Sequence, residues 1–168
     1  MFNQTKKSDR GFTLIELAVV VAIIGIVAAI ASPTFLALIS KNRLNQGIQQ
    51  LLGAVNEAQR QAMLRGLICT VRVNPSTNEI TANPSVCLLS SRQLDLEITI
   101  RENFPGSVAN IAFSHKGNTT RMGTIVLSSN NTNVQKCFVI SLGTGIKRIG
   151  EYNGSSIGSV SSNNCLPN

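Results

Sequence analysis

The stretch Gly11-Phe12-Thr13-Leu14-Ile15-Glu16, followed by an apolar run that continues to Ile39, decides how this chain folds. No charged or strongly polar side chain occurs from residue 17 to residue 31. A run of ~20 apolar residues is long enough to form a membrane-spanning helix. Glu16 is then a lone carboxylate at the head of that helix, where an unpartnered acid is energetically costly. The sequence therefore predicts that Glu16 has a functional partner.

The residues before the apolar run are short, polar and basic, with Lys6, Lys7 and Arg10 among them. A secretory signal shares such a start, but it would show a small-residue cleavage site after the run. Here the apolar pattern continues past Ser32-Pro33 as a regular helix. A plain single-span membrane anchor is the simplest alternative, although it gives no reason for an acid at its mouth.

The block from Lys6 to Glu16 resembles the type III signal of type IV pilins and pseudopilins. In that family a prepilin peptidase cleaves after the glycine, here Gly11, and methylates the new N-terminus, here Phe12. The resemblance also implies a helix-bending proline at Pro33. It divides the chain into a leader peptide (1–11), a transmembrane and filament-core half-helix (12–40) and a globular domain (41–168).

Cleavage after Gly11 would give Phe12 a positively charged amine. Opposite charges attract strongly in a low-dielectric core, whereas an unpaired charge there is costly. We therefore expect Glu16 to pair with an amine, either its own or that of a neighbouring helix. Such a pair would help to set the register of subunits in a helical filament.

Composition places few limits on the partners of the chain. It has 168 residues and a formal charge of +7. The leader holds three basic residues and one acidic residue, so the mature chain keeps +5. This basicity is compatible with phosphate-bearing partners. Aromatic residues make up only 4%, with no Trp, which argues against a surface dominated by stacking platforms for single-stranded nucleic acid.

Four cysteines occur, all in the globular part: Cys69, Cys87, Cys137 and Cys165. They form no CxxC pair and accompany no histidine cluster, so we predict no metal site. An even count in a translocated domain suggests disulfides. Three pairings are possible, and we favour Cys69 with Cys87 and Cys137 with Cys165 because each closes a local loop. Each bridge would contribute ~3 kcal/mol, and buried free thiols are the alternative.

The predicted fold class is α+β, with a long N-terminal helix packed on antiparallel β-sheets, as in pilins. The helix covers residues 12–65, with Gly66 at its C-terminal cap, and its second half (41–66) is amphipathic. The sheets occupy residues 67–150, and residues 151–168 form a C-terminal loop stapled by Cys165. The expected strands are 67–73, 79–82, 86–90, 94–101, 108–113, 124–128, 136–142 and 146–149.

The second half of the chain resembles the GspH/FimT subgroup of pilin-like proteins, in which a strand ends in Gly-Arg-x-Arg. Here that motif reads Gly145-Ile146-Lys147-Arg148, with Ile in place of the first arginine. Some members of the subgroup bind DNA, and the resemblance makes Arg148 and Lys147 DNA-binding candidates. Lys116 and Arg121, in the polar loop 115–121, are further candidates. Their phosphate contacts would be salt-sensitive and sequence-independent, and an ordinary solvated Lys-Arg pair is the alternative.

No pattern in the sequence predicts an enzyme or a cofactor. His115 is the only histidine, Asp95 is the only aspartate outside the leader, and no nucleophile elbow or phosphate loop accompanies them. We expect a minor type IV pilin-like subunit that prepilin peptidase processes. It would be held in the inner membrane by one helix and then drawn, with other pilins, into a cell-surface or periplasm-spanning filament.

Two functions compete within this prediction. One is pilus assembly or DNA uptake in natural transformation. The alternative is a minor GspH-like pseudopilin of a type II secretion system, which moves proteins across the outer membrane. A third and simplest alternative is a plain membrane-anchored β domain that never assembles.

Overall fold

The computed structural model describes residues 11–106 and 108–167, apart from the side chains of residues 30–34. Helix α1 spans Leu14–Arg65, and the chain divides into two compact units, residues 1–36 and 37–168. The basic leader residues 1–10 and the predicted bend at Pro33 lie outside what is described.

Helix α1 ends where the sequence predicts. Gly66 adopts a φ of +66°, a region that side chains other than glycine rarely occupy. The N–H of Leu67 donates to the carbonyl of Ala62 at 3.3 Å. This is the bond of a Schellman cap, which satisfies a carbonyl that the last turn leaves unpaired.

In the first unit, the large apolar side chains of α1 from Leu14 to Val27 are exposed, as is that of Phe12 just before the helix. Within the part of the chain that the structure describes, no helical stretch combines the length and the apolarity needed to cross a membrane.

Two antiparallel sheets follow the helix and confirm the predicted fold class. The strands are β1 (Cys69–Asn74), β2 (Glu79–Asn83), β3 (Arg92–Gln93), β4 (Thr99–Glu102), β5 (Ala109–Phe113), β6 (Gly123–Ser129), β7 (Thr132–Ile140), β8 (Lys147–Tyr152) and β9 (Cys165–Pro167). The first sheet has the order β3-β2-β1-β5, and the second has the order β4-β6-β7-β8-β9.

The amphipathic half of α1 supplies the centre of the core in the second unit. Its apolar stripe, including Leu44, Leu51 and Val55, is fully buried. Phe113 of the first sheet and Phe138 of the second belong to the same buried cluster. The helical spacing of apolar residues therefore predicts correctly which face of α1 the sheets cover.

The four cysteines form two disulfides, with the pairing that the local-loop argument favours. Cys69 of β1 is bonded to Cys87, and Cys137 of β7 is bonded to Cys165 of β9. The second bridge belongs to a separate apolar cluster that includes Val139. The C-terminal segment thus covers the face of the second sheet that α1 does not.

The predicted strand at residues 86–90 is wrong. A short 3₁₀ turn, Ser85–Cys87, occupies its start. The turn follows Pro84, which has no N–H to donate to a ladder. Residues 88–91 lie outside any strand.

The strictly alternating segment 94–101 is also largely not a strand, since β4 begins only at Thr99. The side-chain nitrogen of Asn78 donates to the carbonyls of Asp95 and Ile98, at 2.9 and 2.7 Å. The N–H of Ile98 also donates to the carbonyl of Asp95 at 3.0 Å, which closes a turn. Backbone groups that a ladder would need are therefore already engaged.

The predicted C-terminal loop contains strand β9, which pairs with the end of β8. Gly150 pairs with Pro167, and the backbone of Leu166 approaches so closely that a Cβ on Gly150 would lie 1.8 Å from its carbonyl oxygen. Only glycine fits at this position of β8.

Gly150→Ala is expected to lower the free energy of unfolding of the globular domain by about 3 kcal/mol, because the new methyl group must separate β9 from β8. The measurement is urea unfolding of the detergent-solubilised chain, followed by circular dichroism. Gly25→Ala is the control, since nothing lies within 4 Å of a Cβ there. Equal stability of the two variants would contradict the observed pairing of β9.

An ion pair joins the neighbouring strands β7 and β8. Lys136 Nζ, on a side chain only 6% exposed, lies 2.8 Å from Glu151 Oε1. This hydrogen bond, together with the positive charge of the lysine, lowers the pKa of Glu151 below its ordinary 4.5.

Because the folded-state pKa of Glu151 is lowered, the carboxylate stabilises the fold above pH 4.5, and this contribution is lost as the pH falls through the lowered pKa. We expect Glu151→Gln to reduce the free energy of unfolding at pH 7 and to reduce it less at pH 3. Urea titrations at both pH values measure the two differences. A deficit that is independent of pH would show that the ion pair does not contribute.

Candidate functional site

The N-terminus of α1 is closed by a reciprocal pair of side chains. The backbone N–H and the hydroxyl of Thr13 both donate to Glu16 Oε2, at 2.9 and 2.8 Å. The N–H of Glu16 donates in turn to Thr13 Oγ1 at 3.3 Å. This arrangement is a capping box, in which a Thr-x-x-Glu sequence satisfies backbone donors that the first helical turn leaves unpaired.

Glu16 therefore has a partner while the leader is still attached. The partner expected from the sequence is an amine, although the spacing of Thr13 and Glu16 is itself the signature of a capping box. The two roles do not exclude each other, because an ionised carboxylate has two oxygens and can accept several hydrogen bonds. The pairing of Glu16 with the amine of Phe12 stays a prediction.

Lys147, a DNA-binding candidate, points toward α1. Its amine donates to the side-chain oxygen of Gln59 and lies 5.8 Å from the centroid of the Phe113 ring. Gln59 also donates to the carbonyl of Gly117 at 2.8 Å. Partial burial lowers the pKa of Lys147. A lysine held in this way fastens β8 to α1 and is poorly placed to contact a phosphate.

Arg148 lies on the opposite face of the second sheet from Lys147. Side chains alternate along a strand, and Arg148 pairs with Val139 whereas Lys147 pairs with Ile140. The Nη2 atom of Arg148 donates to the carbonyl of Ser162 at 3.0 Å, and the side chain is exposed. The two basic residues of the motif therefore do not act as one pair.

Lys116 and Arg121 are exposed residues of the loop between β5 and β6. The loop is anchored at Thr119, whose N–H and carbonyl exchange hydrogen bonds with Gly143 at 2.8 and 2.9 Å. Arg121 Nη1 lies 3.5 Å from the carbonyl oxygen of Pro105. The four candidates therefore do not share one surface.

One of them, Arg121, lines a cavity of about 830 Å³ that is formed mainly by residues 120–124 and 139–142. Arg148 is not a lining residue, but its Nη2 atom donates to the carbonyl of Ser162, which is one. Among the described residues, no acidic side chain lines it. We call this the basic cavity.

The turn that replaces the predicted strand at 94–98 carries the opposite charge. Arg43 of α1 pairs with Glu97, and its Nε atom lies 3.3 Å from Asp95 Oδ2. Leu96, between the two carboxylates, is 81% exposed. We call residues 94–98 the acidic loop. His115 is exposed elsewhere, so Asp95 is engaged by an arginine rather than by the histidine.

Comparisons with known proteins identify the N-terminal motif and relatives that match much of the chain. The family model for the prokaryotic N-terminal methylation motif matches residues 6–32. The chain is 30% identical to a fimbrial protein of Pseudomonas aeruginosa over 145 residues, which is 84% of this chain and 92% of that protein. It is 33% identical to the type IV major alpha-pilin of Moraxella bovis over 118 residues, which is 70% and 69% of the two chains.

Fimbrial protein EcpB of Eikenella corrodens is 40% identical over 75 residues, or 45% of each chain. No solved structure matches the chain. The methylation motif includes Gly11, Phe12 and Glu16. The three relatives are named as fimbrial or major pilin proteins, and none of these names is that of a minor pilin or a pseudopilin.

The different settings of Lys147 and Arg148 lead to a stability prediction. Lys147→Ala removes a hydrogen bond to α1, worth about 1 kcal/mol, together with the contact over Phe113. Arg148→Ala removes an exposed side chain whose bond to Ser162 competes with water. We expect Lys147→Ala to lower the free energy of unfolding more, as measured by urea titration. A larger loss for Arg148→Ala would contradict this placement.

Proposed function

We propose that this chain, which belongs to the type IV pilin family, is a major-pilin-like subunit that polymerises into the shaft of a pilus. The observation that carries the proposal is the methylation motif at residues 6–32, together with likeness along most of the chain to proteins named as fimbrial. As a pilin, the chain is a structural subunit of cell-surface pili and not an enzyme.

Processing is the first step of the proposed assembly. The methylation motif includes both residues of the expected cleavage site, Gly11 and Phe12. Cleavage there would convert the backbone nitrogen of Phe12 into an amine, one residue before the Thr13 that caps α1. Before assembly, the N-terminal segment is proposed to hold the precursor in the inner membrane, as is typical of the family.

Glu16 is proposed to control incorporation into the filament. In the described chain its carboxylate accepts two hydrogen bonds from Thr13. Packing of α1 among other helices would remove this carboxylate from water, and an amine is the partner that would offset the cost. The amine of Phe12, on the same or a neighbouring subunit, is the group that cleavage creates nearby.

The narrower proposals, a minor pilin of the GspH/FimT subgroup or a type II pseudopilin, have less support. The relatives named above favour a major pilin. DNA uptake would depend on the basic motif, whose Lys147 is engaged by Gln59 while Arg148 faces the other side of β8. We therefore place shaft assembly first and DNA binding second.

The assembly test uses Glu16→Gln, because glutamine serves at this position of a capping box as well as glutamate does. This substitution keeps an acceptor for Thr13 and removes the charge. We expect the variant precursor to be cleaved normally but to be strongly depleted from pili sheared off the cell. Immunoblots of sheared pili and of the cell pellet measure the two pools.

Thr13→Val is the matched control, since it removes the capping hydroxyl, at a cost of about 1 kcal/mol, and leaves the Glu16 charge. We expect this variant to enter pili nearly as well as the wild type. If Thr13→Val is depleted and Glu16→Gln is not, the carboxylate acts only by capping α1. If the wild-type chain itself is missing from sheared pili, the shaft role is wrong.

A further inference from the structure

We propose that the acidic loop of one copy docks into the basic cavity of the next copy, so that neighbouring globular domains join head to tail. This inference rests on the proposed function, because it needs copies of the chain to lie side by side in a filament. It concerns contacts between globular domains and is independent of the pairing of Glu16.

The acidic loop presents an apolar side chain that its own domain leaves uncovered. Leu96 is 81% exposed and is flanked by Asp95 and Glu97. The loop is nevertheless held in shape, because Asn78 donates to two of its carbonyls and Arg43 pairs with both of its carboxylates. A preorganised loop loses little conformational freedom when it binds. The acidic loop is therefore a preformed protrusion that could bind in a cavity of another protein surface.

The basic cavity offers the complementary chemistry. Met122 and Leu142 line it and are 64% and 58% exposed, so an apolar side chain that enters would cover apolar surface. Within the described residues, neither Arg121 nor Arg148 takes part in a salt bridge. Thr124, another lining residue, has a buried hydroxyl with no hydrogen-bond partner in the described part of the chain.

The charge and the size of the basic cavity both fit the acidic loop. Two carboxylates flank the leucine of the loop, and Arg43 offsets only one of their two negative charges. The guanidinium of Arg121 lines the cavity, and that of Arg148 is bonded to the lining residue Ser162, so entry of Leu96 would bring opposite charges together. Hydrogen bonds between arginine and carboxylate are among the stronger polar contacts in proteins. A cavity of about 830 Å³ has room for the leucine together with the backbone that carries it.

The two surfaces lie at different levels along α1. The acidic loop is tied to Arg43, whereas the loop that precedes the basic cavity is tied to Gln59 through the carbonyl of Gly117. These two positions are separated by about 24 Å along the helix. A contact between two different surfaces is heterologous, and it generates a filament when its rotation does not close a ring. The proposed contact thus suits a polymer rather than a closed dimer.

A nucleic-acid strand is the other anionic candidate for the cavity. Strand binding depends on many phosphate contacts along a groove. Here, of the four candidates, only Arg121 lines the cavity, Arg148 is joined to it through Ser162, and Lys147 faces α1. The exposed leucine of the acidic loop also has no counterpart in a phosphate backbone. The observations therefore favour a second copy of the chain.

Cysteine cross-linking in sheared pili tests the contact. The four native cysteines are already bonded to one another, so the introduced residues are the free thiols available when the pili are treated with a mild oxidant. We expect pili of a Leu96→Cys, Met122→Cys double variant to give a ladder of covalent multimers on non-reducing gels. Each single variant is expected to stay monomeric. Leu89→Cys combined with Met122→Cys is the matched control, because Leu89 is 91% exposed and lies outside the acidic loop, and it should give no ladder.

The outcomes separate this inference from the pilus role. Pili that contain the double variant but give no ladder overturn the inference and leave the shaft role intact. Dimers from Leu96→Cys alone overturn it as well, since they indicate contact between identical surfaces. If the wild-type chain is absent from pili, the shaft role fails, and the inference fails with it.

Hydrogen exchange on wild-type pili keeps the inference testable if the double variant does not assemble. Slower exchange of the amides in residues 95–98 and 121–124 in pili than in detergent-solubilised subunits supports the contact. Equal exchange in the two states overturns it. An oligonucleotide that slows exchange at 121–124 in solubilised subunits, when pilus formation does not, assigns the cavity to nucleic acid instead.

Discussion

Burial of one stripe of α1 against two sheets is the interaction on which the globular domain depends. Leu44 and Leu51 are fully buried together with Phe113 of the first sheet and Phe138 of the second. Burying one such side chain contributes roughly 1.5–3 kcal/mol. A typical hydrogen bond contributes only about 1 kcal/mol net, so several of these burials together outweigh any single polar contact, and the position of each sheet follows from this stripe. The tie between Lys147 and Gln59 then fastens the far end of the second sheet to the same helix.

The second sheet also needs a cover on the face that α1 does not reach. The C-terminal segment supplies it, with β9 joined to β7 by the bond between Cys137 and Cys165. Arg101 lies beside the end of β8, with its guanidinium 5.7 Å from the Tyr152 ring. The same segment contributes Ser162 to the wall of the basic cavity. Completion of the fold and formation of the candidate contact therefore depend on one disulfide-held segment.

Sequence reasoning succeeds here at several places where neighbours along the chain decide the structure. The end of α1 at Gly66 and the pairing of the cysteines are of this kind. It fails at residues 94–98, because Asn78 is distant in sequence yet engages their carbonyls. The basic cavity combines several separated segments, so no local pattern marks it. The opposite directions of Lys147 and Arg148, by contrast, follow from the alternation of side chains along a strand, so the sequence alone is enough to predict them.

The two proposed contacts respond differently to solvent. A carboxylate paired among packed helices is poorly screened by salt, whereas arginine–carboxylate pairs at a domain surface become weaker as the ionic strength rises. At high salt, the pairing of Glu16 would therefore still stabilise the packed helices of the filament, while the electrostatic part of the loop contact weakens. The apolar side chain of Leu96 resists such screening, because burial of apolar surface does not depend on charge. A loop that combines one leucine with two acids thus keeps part of its affinity at high salt, while its charges select the basic cavity over other apolar surfaces.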